Sequence, residues 1–239
     1  MNIDTYNRIV DFSKIDNNKE LLNSIVEQGF CDRVNYVYLG NYSYNETWVL
    51  QQEIHKMVFN EELKNIVLFV EHNHVYTFGK NGNTDFLLNS YPKEVDVVYS
   101  DRGGQVTYHG PGQLIGYPII NLNHFKKSIS WYMNLLEETI ISVLKDYGII
   151  ASKKDKLIGV WVDDDKICAM GVRLSKWVTM HGFALNICPD FKYYDGIIPC
   201  GISNYGVASM NDLLNEEFNT HDIIEKIVEN LDKYLNEKI

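Results

Sequence analysis

The sequence predicts an α+β domain in which a mixed or antiparallel sheet is flanked by a few helices. Three observations carry that expectation. Short apolar, β-rich runs recur along the chain, two long segments show helical spacing instead, and no repeat or low-complexity linker interrupts residues 34–239. With 239 residues, 45% of them hydrophobic and 23% charged, there is enough chain for one well-filled core and an appendage.

Residues 1–33, rich in Asn and Asp, read as an N-terminal appendage with one short helix around Leu21, Leu22, Ile25 and Val26. The catalytic part is assigned to 34–239. VNYVYLG (34–40) reads as a strand. Ser43 and Glu46 form a capping box for a helix whose Trp48, Gln51, Ile54 and Met57 follow helical spacing. IVLFVE (66–71) is a continuous apolar run expected to be a buried strand, and VDVVYS (95–100) is another. QLIGYPIINL (113–122) is extended, and Pro118, lacking a ladder donor, places it at a sheet edge or beside a bulge. Ser130 is the expected cap of a helix that carries Met133, Leu136, Ile140, Val143, Leu144 and Tyr147 on one face and stops at Gly148. Three β-rich segments follow at 158–162, 166–174 and 177–187, joined by turn-like DDD and SK. An amphipathic helix over 220–235 comes last.

Composition narrows the function classes. Lys and Arg total 22 against 32 Asp and Glu, a net charge of −10, which argues against broad nucleic-acid binding because cations are not in excess. No apolar run approaches the ~20 residues that span a bilayer. The N-terminal stretch lacks the basic-then-apolar pattern of a secretory signal. Four cysteines without such a signal suggest free thiols in a reducing cytoplasm. The expectation is a cytoplasmic protein that binds neither nucleic acid nor membrane.

The candidate chemistry starts at Arg102, in RGGQVTYHGPGQLIGYPI, which holds five glycines, with Arg102 and His109 bracketing the first two. Neither the Walker A string nor the dinucleotide fingerprint fits, since these glycines lead into an extended run rather than a helix. A ligand-free turn and a binding loop both remain open on spacing, and Arg102 with His109 favours binding. Cys31 lies in the appendage, and Cys168 and Cys188 lie in apolar β-like segments, where buried thiols are common. Cys200 differs, held between Pro199 and Gly201 in a turn where a thiol is able to react. A thiolate near neutral pH needs a partner, and His109, His181 and Lys166 are the candidates. His72 and His74, placed on a strand, would share a face but offer only two ligands, so no metal is expected.

Three segments in order, RGGQVTYHGPGQLIGYPIINL, KICAMGVRLSKWVTMHGFALNI and GIIPCGI, resemble the lipoyl(octanoyl) transferases of the biotin/lipoate protein ligase superfamily, with similarity over about residues 35–215. The resemblance implies that superfamily's catalytic domain. It implies transfer of an octanoyl group from acyl carrier protein to a lysine of lipoyl domains, the first step of endogenous lipoate synthesis. The acceptors would be lipoyl domains of 2-oxoacid dehydrogenase complexes and the glycine cleavage H protein, and no cofactor is required. By the same resemblance Cys200 is the acyl-thioester nucleophile, and Lys166 lowers its pKa and moves protons. The implied substrate contacts are Arg102, Gly103, Gly104, Gln105, Val106, Thr107, Tyr108 and His109, then Ala169, Met170 and Gly171, then Gly182, Phe183 and Ala184. Their backbone N–H groups would meet the thioester carbonyl, and their small side chains would leave an apolar slot. Asn73 and His74 stand where two prolines are expected.

Two other readings compete. An ATP-dependent lipoate or octanoate ligase of the same fold would need no nucleophilic cysteine, and PCG together with RGGQ favours the transferase. A non-catalytic carrier would need neither Cys200 nor Lys166. Because acyl carrier proteins are acidic, a local basic rim of Lys80, Arg102, Lys153, Lys154, Arg173 and Lys176 is expected.

Overall fold

Continuous apolar runs became the centre of the molecule. In the computed structural model, which describes residues 8–30, 32–198 and 205–236, the chain runs through β1 (Ile9–Asp11), α1 (Asn18–Glu27), β2 (Val34–Asn41), α2 (Tyr44–Phe59), β3 (Asn65–Glu71), β4 (Val75–Phe78), β5 (Asp96–Tyr99) and β6 (Val106–His109). It continues through β7 (Gln113–Ile119), α3 (Ile129–Asp146), β8 (Ser152–Lys154), β9 (Leu157–Val162), β10 (Asp165–Ser175), β11 (Val178–Asn186), β12 (Gly206–Val207), α4 (Met210–Leu214) and α5 (Thr220–Asn236). The main sheet has the order β1-β2-β3-β7-β11-β10-β9-β8, with β12 also paired to β10. Its first three strands are parallel and most of the others antiparallel, so the sheet is mixed. A smaller sheet has the order β5-β4-β6.

Every residue of β7 and β11 is buried, because helices cover both faces of the main sheet. Period-two alternation divides the strands between two cores. Val67 and Phe69 face Leu136, Ile140, Ile227 and Leu231 of α3 and α5. Ile66 and Leu68 face Leu50 and Ile54 of α2. The described part of the N-terminal appendage is docked onto this frame. Ile9 to Asp11 pair in parallel with Tyr36 to Tyr38, and Leu21 and Ile25 of α1 are buried in the α2 layer. Three residues are too few to show a strand pattern in the sequence, which is why β1 was not anticipated.

Two local expectations change. Pro118 lies on neither edge: β7 is flanked by β3 and β11. Its carbonyl accepts from Thr179 Oγ1 at 2.7 Å, so its nitrogen, on the same side of the strand, also faces β11. There the regular register ends at Phe183 and Gly116, and His181 adopts a φ of 56°. The missing N–H therefore falls where β11 is already irregular, which is the bulge alternative. The cap of α3 is Ser128, two residues before the expected Ser130. Ser128 is extended and its Oγ accepts the Trp131 N–H at 3.2 Å. Ser128→Ala is expected to cost about 1 kcal/mol of stability and Ser130→Ala only a few tenths, compared by thermal denaturation.

Candidate active site

Beyond Cys168, strand β10 loses its outer neighbour, since β9 pairs with it only as far as the Cys168–Val160 register. The loop before β6 takes that side. Gly103 donates its N–H to Val172 O at 2.9 Å, and backbone bonds from Gly79, Lys80 and Asn81 to Gln105, Arg102 and Gly104 pin the loop to the end of β4. Glycine is required twice here. Gly104 has a φ of +89°, and a Cβ on Gly171 would lie 2.8 Å from the Gly103 carbonyl oxygen. Gly171→Ala is expected to push the loop off β10, costing about 1–3 kcal/mol of stability. The acylation rate is expected to fall with it, and melting plus single-turnover acylation measure the two effects.

Between this loop and β10–β11 lies a cleft of about 490 Å³, lined mainly by apolar atoms. Arg102, Gly103, Gly104, Gln105, Val106, Thr107, His109, Ala169, Met170, Gly171, Gly182, Phe183 and Ala184 all line it, as does Lys166. Tyr108 does not. Its hydroxyl meets His74 Nδ1 at 2.7 Å and its ring stacks on Tyr193, in the small core behind β6. Two more expected roles change on inspection of partners. The Gly103 N–H, offered as a donor to a thioester carbonyl, is already bonded to Val172. The Arg102 guanidinium is buried and braces the loop, bonding Thr77 Oγ1 at 2.9 Å and Gly103 O at 2.9 Å.

Lys166 is half-buried near the start of β10, in register with Trp161 across the β9–β10 hairpin. Its Nζ lies 4.6 Å from the Trp161 ring centre. The edge of the Tyr205 ring packs on the same indole at 5.2 Å between centroids, and β12 brings Val207 into register with Lys166. The chain that follows residues 199–204 therefore returns directly against Lys166. Cys200 belongs to 199–204 and lies outside the described residues, as does Cys31. The two described thiols are unsuited to nucleophilic attack. Burial pushes the Cys168 pKa far up despite the charge of Lys166, and partial burial with Glu71 nearby raises that of Cys188.

Burial disfavours the charged form of His72, His109 and His181 in this arrangement. Burial first, then the His72 and Arg102 charges, hold His109 well below the ordinary imidazole range, so it offers no positive charge to a thiolate. Burial likewise lowers His181, while its hydrogen bond keeps Asp101 ionised. His72 and His74 lie in the β3–β4 connection and share no strand face. His72 spends both nitrogens, on Tyr42 O at 2.6 Å and Tyr117 Oη at 2.8 Å, and burial pulls its pKa down to about 4. Among the described residues no group of three His, Cys, Asp or Glu is gathered as for a metal.

The basic rim is largely neutralised from within. Lys153 pairs with Glu138, Lys154 with Asp164 and Arg173 with Asp101, while the Lys176 ammonium sits over Phe59. Lys80 is exposed, and its charge acts on Asp101. Trp161, Tyr205, Tyr44 and Asp101 join the site without having been expected there. Only the first had a signal, because a tight DDD turn places Trp161 opposite Lys166.

The family described as the lipoyl protein ligase A/B catalytic domain matches residues 43–232. An octanoyltransferase of Christiangramia forsetii is 44% identical over 211 residues, covering 80% of this chain and 90% of that protein. One from Flavobacterium johnsoniae is 44% identical over 214 residues, covering 81% and 92%. A bipartite lipoate protein ligase of Thermoplasma acidophilum, in a structural analysis with its E2 lipoyl domain, shares the fold with a TM-score of 0.66 over 85% of this chain and 83% of that one, at 15% identity. The chain thus belongs to the lipoyl protein ligase A/B catalytic-domain family, as one of its octanoyltransferases, an acyltransferase of lipoate biosynthesis.

Proposed function

We propose that octanoyl-acyl carrier protein is the donor, that Cys200 carries the octanoyl group as a thioester, and that a lysine of a lipoyl domain accepts it. In the first half-reaction the Cys200 thiolate adds to the donor carbonyl. The C–S bond to phosphopantetheine breaks, and the leaving thiolate takes a proton from the Lys166 ammonium. In the second, the acceptor amine adds to the enzyme thioester, the C–S bond to Cys200 breaks, and an amide forms as the amine proton returns through Lys166. Thioester exchange is nearly isoenergetic and thioester-to-amide transfer is downhill, so neither step draws on ATP or a cofactor.

The observation that supports this reading best is the arrangement around Trp161. Its ring carries the Lys166 ammonium at the apolar cleft and also packs against Tyr205, five residues after Cys200. Five residues span at most ~17 Å, a chain length that permits the proposed pairing of Cys200 with Lys166. The shared ligase fold keeps one rival reading in view, activation of free octanoate by ATP. Transfer to a lipoyl domain is measured with octanoyl-acyl carrier protein alone and with octanoate plus ATP. Transfer from the carrier alone is expected; transfer only with octanoate and ATP overturns the proposal.

A further inference from the structure

Lys166 lies beside an irregularity in the β9–β10 hairpin. Trp161 pairs with Lys166 and Val160 with Cys168, so one step along β9 matches two along β10, and Ile167 is the extra residue of a bulge. A bulge bends its strand and re-aims the side chain beside it. Here the lysine lies across β9. A Cβ on Gly159 would be 3.4 Å from Lys166 Cε and 3.5 Å from Lys166 Cδ, so the aliphatic stem rests on bare glycine backbone. The same Cβ would be 2.6 Å from Cys168 O, which leaves no room for a side chain. Beyond the stem, Nζ reaches the Trp161 ring, 4.6 Å from its centre.

Both supports are held from elsewhere. The indole is buried, and its Nε1 donates to Leu157 O at 3.3 Å. The Gly159 N–H goes to a side chain from another layer: Glu137 Oε1, on α3, accepts it at 3.2 Å. Glu137 follows Met133 by about one helical turn, and Met133 and Ile129 line the cleft. The bond therefore ties the cleft-lining face of α3 to the strand beneath the lysine. Glu137 is half-buried, burial raises its pKa, and the Gly159 N–H is foremost among the groups that oppose the rise.

We propose that Glu137 is a positioning residue for the transfer: through Gly159 it holds the stretch of β9 on which the Lys166 stem lies, while Trp161 fixes the ammonium end. This rests on the role of Lys166 proposed for the transfer. A lysine on its own samples many rotamers, and contacts at both stem and head restrict its reach. Such restriction matters because a misplacement of about 1 Å at a reacting group costs up to about 10²-fold in rate.

Glu137→Met, similar in size but without the acceptor, is expected to slow enzyme acylation by octanoyl-acyl carrier protein about tenfold. The Cys200 thiol pKa, followed by iodoacetamide alkylation, is expected to rise with it, as in Lys166→Met. Glu137→Gln keeps a carbonyl oxygen for the Gly159 N–H and is expected to recover most of the rate. The deciding comparison adds Glu137→Met to Lys166→Met. The further loss should be less than about twofold, because no lysine remains to be positioned. Trp161→Leu, measured in the same two backgrounds, removes the ammonium's support independently and carries the test if Glu137→Met does not fold. That indole also meets Lys154 at 5.2 Å and lines the cleft, and a loss by either of those routes would persist without Lys166. Undiminished acylation by Glu137→Met, no recovery in Glu137→Gln, or losses that multiply in full on Lys166→Met overturns the proposal. Undiminished acylation by Lys166→Met alone would instead overturn the role of Lys166, and the positioning role with it.

Discussion

Cys200→Ser is expected to carry no octanoyl thioester and to slow transfer by at least about 10³-fold, the scale seen when a covalent nucleophile is removed. Serine is close in size to cysteine, but its hydroxyl has no appreciable oxyanion near neutral pH, and an ammonium such as that of Lys166 cannot deprotonate it. Nor do the described thiols replace it. Cys168 is packed in the core with its Sγ toward Ala169 O, and burial holds it protonated. Cys188 is more exposed, but the surrounding Glu71, Glu217 and Asp212 add to the effect of burial in disfavouring a thiolate. The variant should melt close to the unaltered protein, so the loss will be chemical. Hydroxylamine-labile acyl groups measured after mixing with the donor give the readout.

Lys166→Met is expected to slow enzyme acylation by about 10²-fold at neutral pH, within the usual range for a lost acid–base partner. Methionine keeps an apolar stem against Trp161 but removes the charge. The sign of the pH effect follows from that charge. An ammonium favours the thiolate, so its loss raises the Cys200 pKa toward or beyond the ordinary ~8.5. The deficit is therefore largest at low pH and narrows as pH rises through the thiol's range. Lys166→Arg should restore part of the thiolate population but little proton transfer, because guanidinium does not deprotonate. Iodoacetamide alkylation against pH measures the thiol pKa in each variant. An unchanged profile in Lys166→Met would remove Lys166 from the mechanism.

Much of the frame was legible because its signals are local. The Ser43–Glu46 box places the start of α2, with Glu46 N–H bonded to Ser43 Oγ at 3.3 Å and Ser43 Oγ to Glu46 Oε2 at 2.7 Å. The run from Ile66 onward is a strand buried on both faces. What escaped depends on long-range pairing. Pro118 is tolerated inside the sheet because its missing N–H faces the irregular part of β11, where Thr179, 61 residues away, bonds its carbonyl with a side chain. Tyr108 faces the small core while its neighbours Thr107 and His109 face the cleft, and which side each takes is invisible until VTYH is known to pair with β4. The basic rim misled because carboxylates from α3 and the β9–β10 turn neutralise Lys153 and Lys154. The glycine-rich stretch changes meaning in the same way. Its Arg102 is a brace, and its Gly104 and Gly103 let a loop close over the free edge of β10.

The most direct measurement is intact mass spectrometry of the unaltered protein mixed with octanoyl-acyl carrier protein, without ATP and without a lipoyl domain, followed by peptide mapping. One octanoyl group, on Cys200, is the expected result. An adduct on Cys168 or Cys188 instead, or no adduct while octanoate plus ATP supports transfer, would contradict covalent catalysis by Cys200.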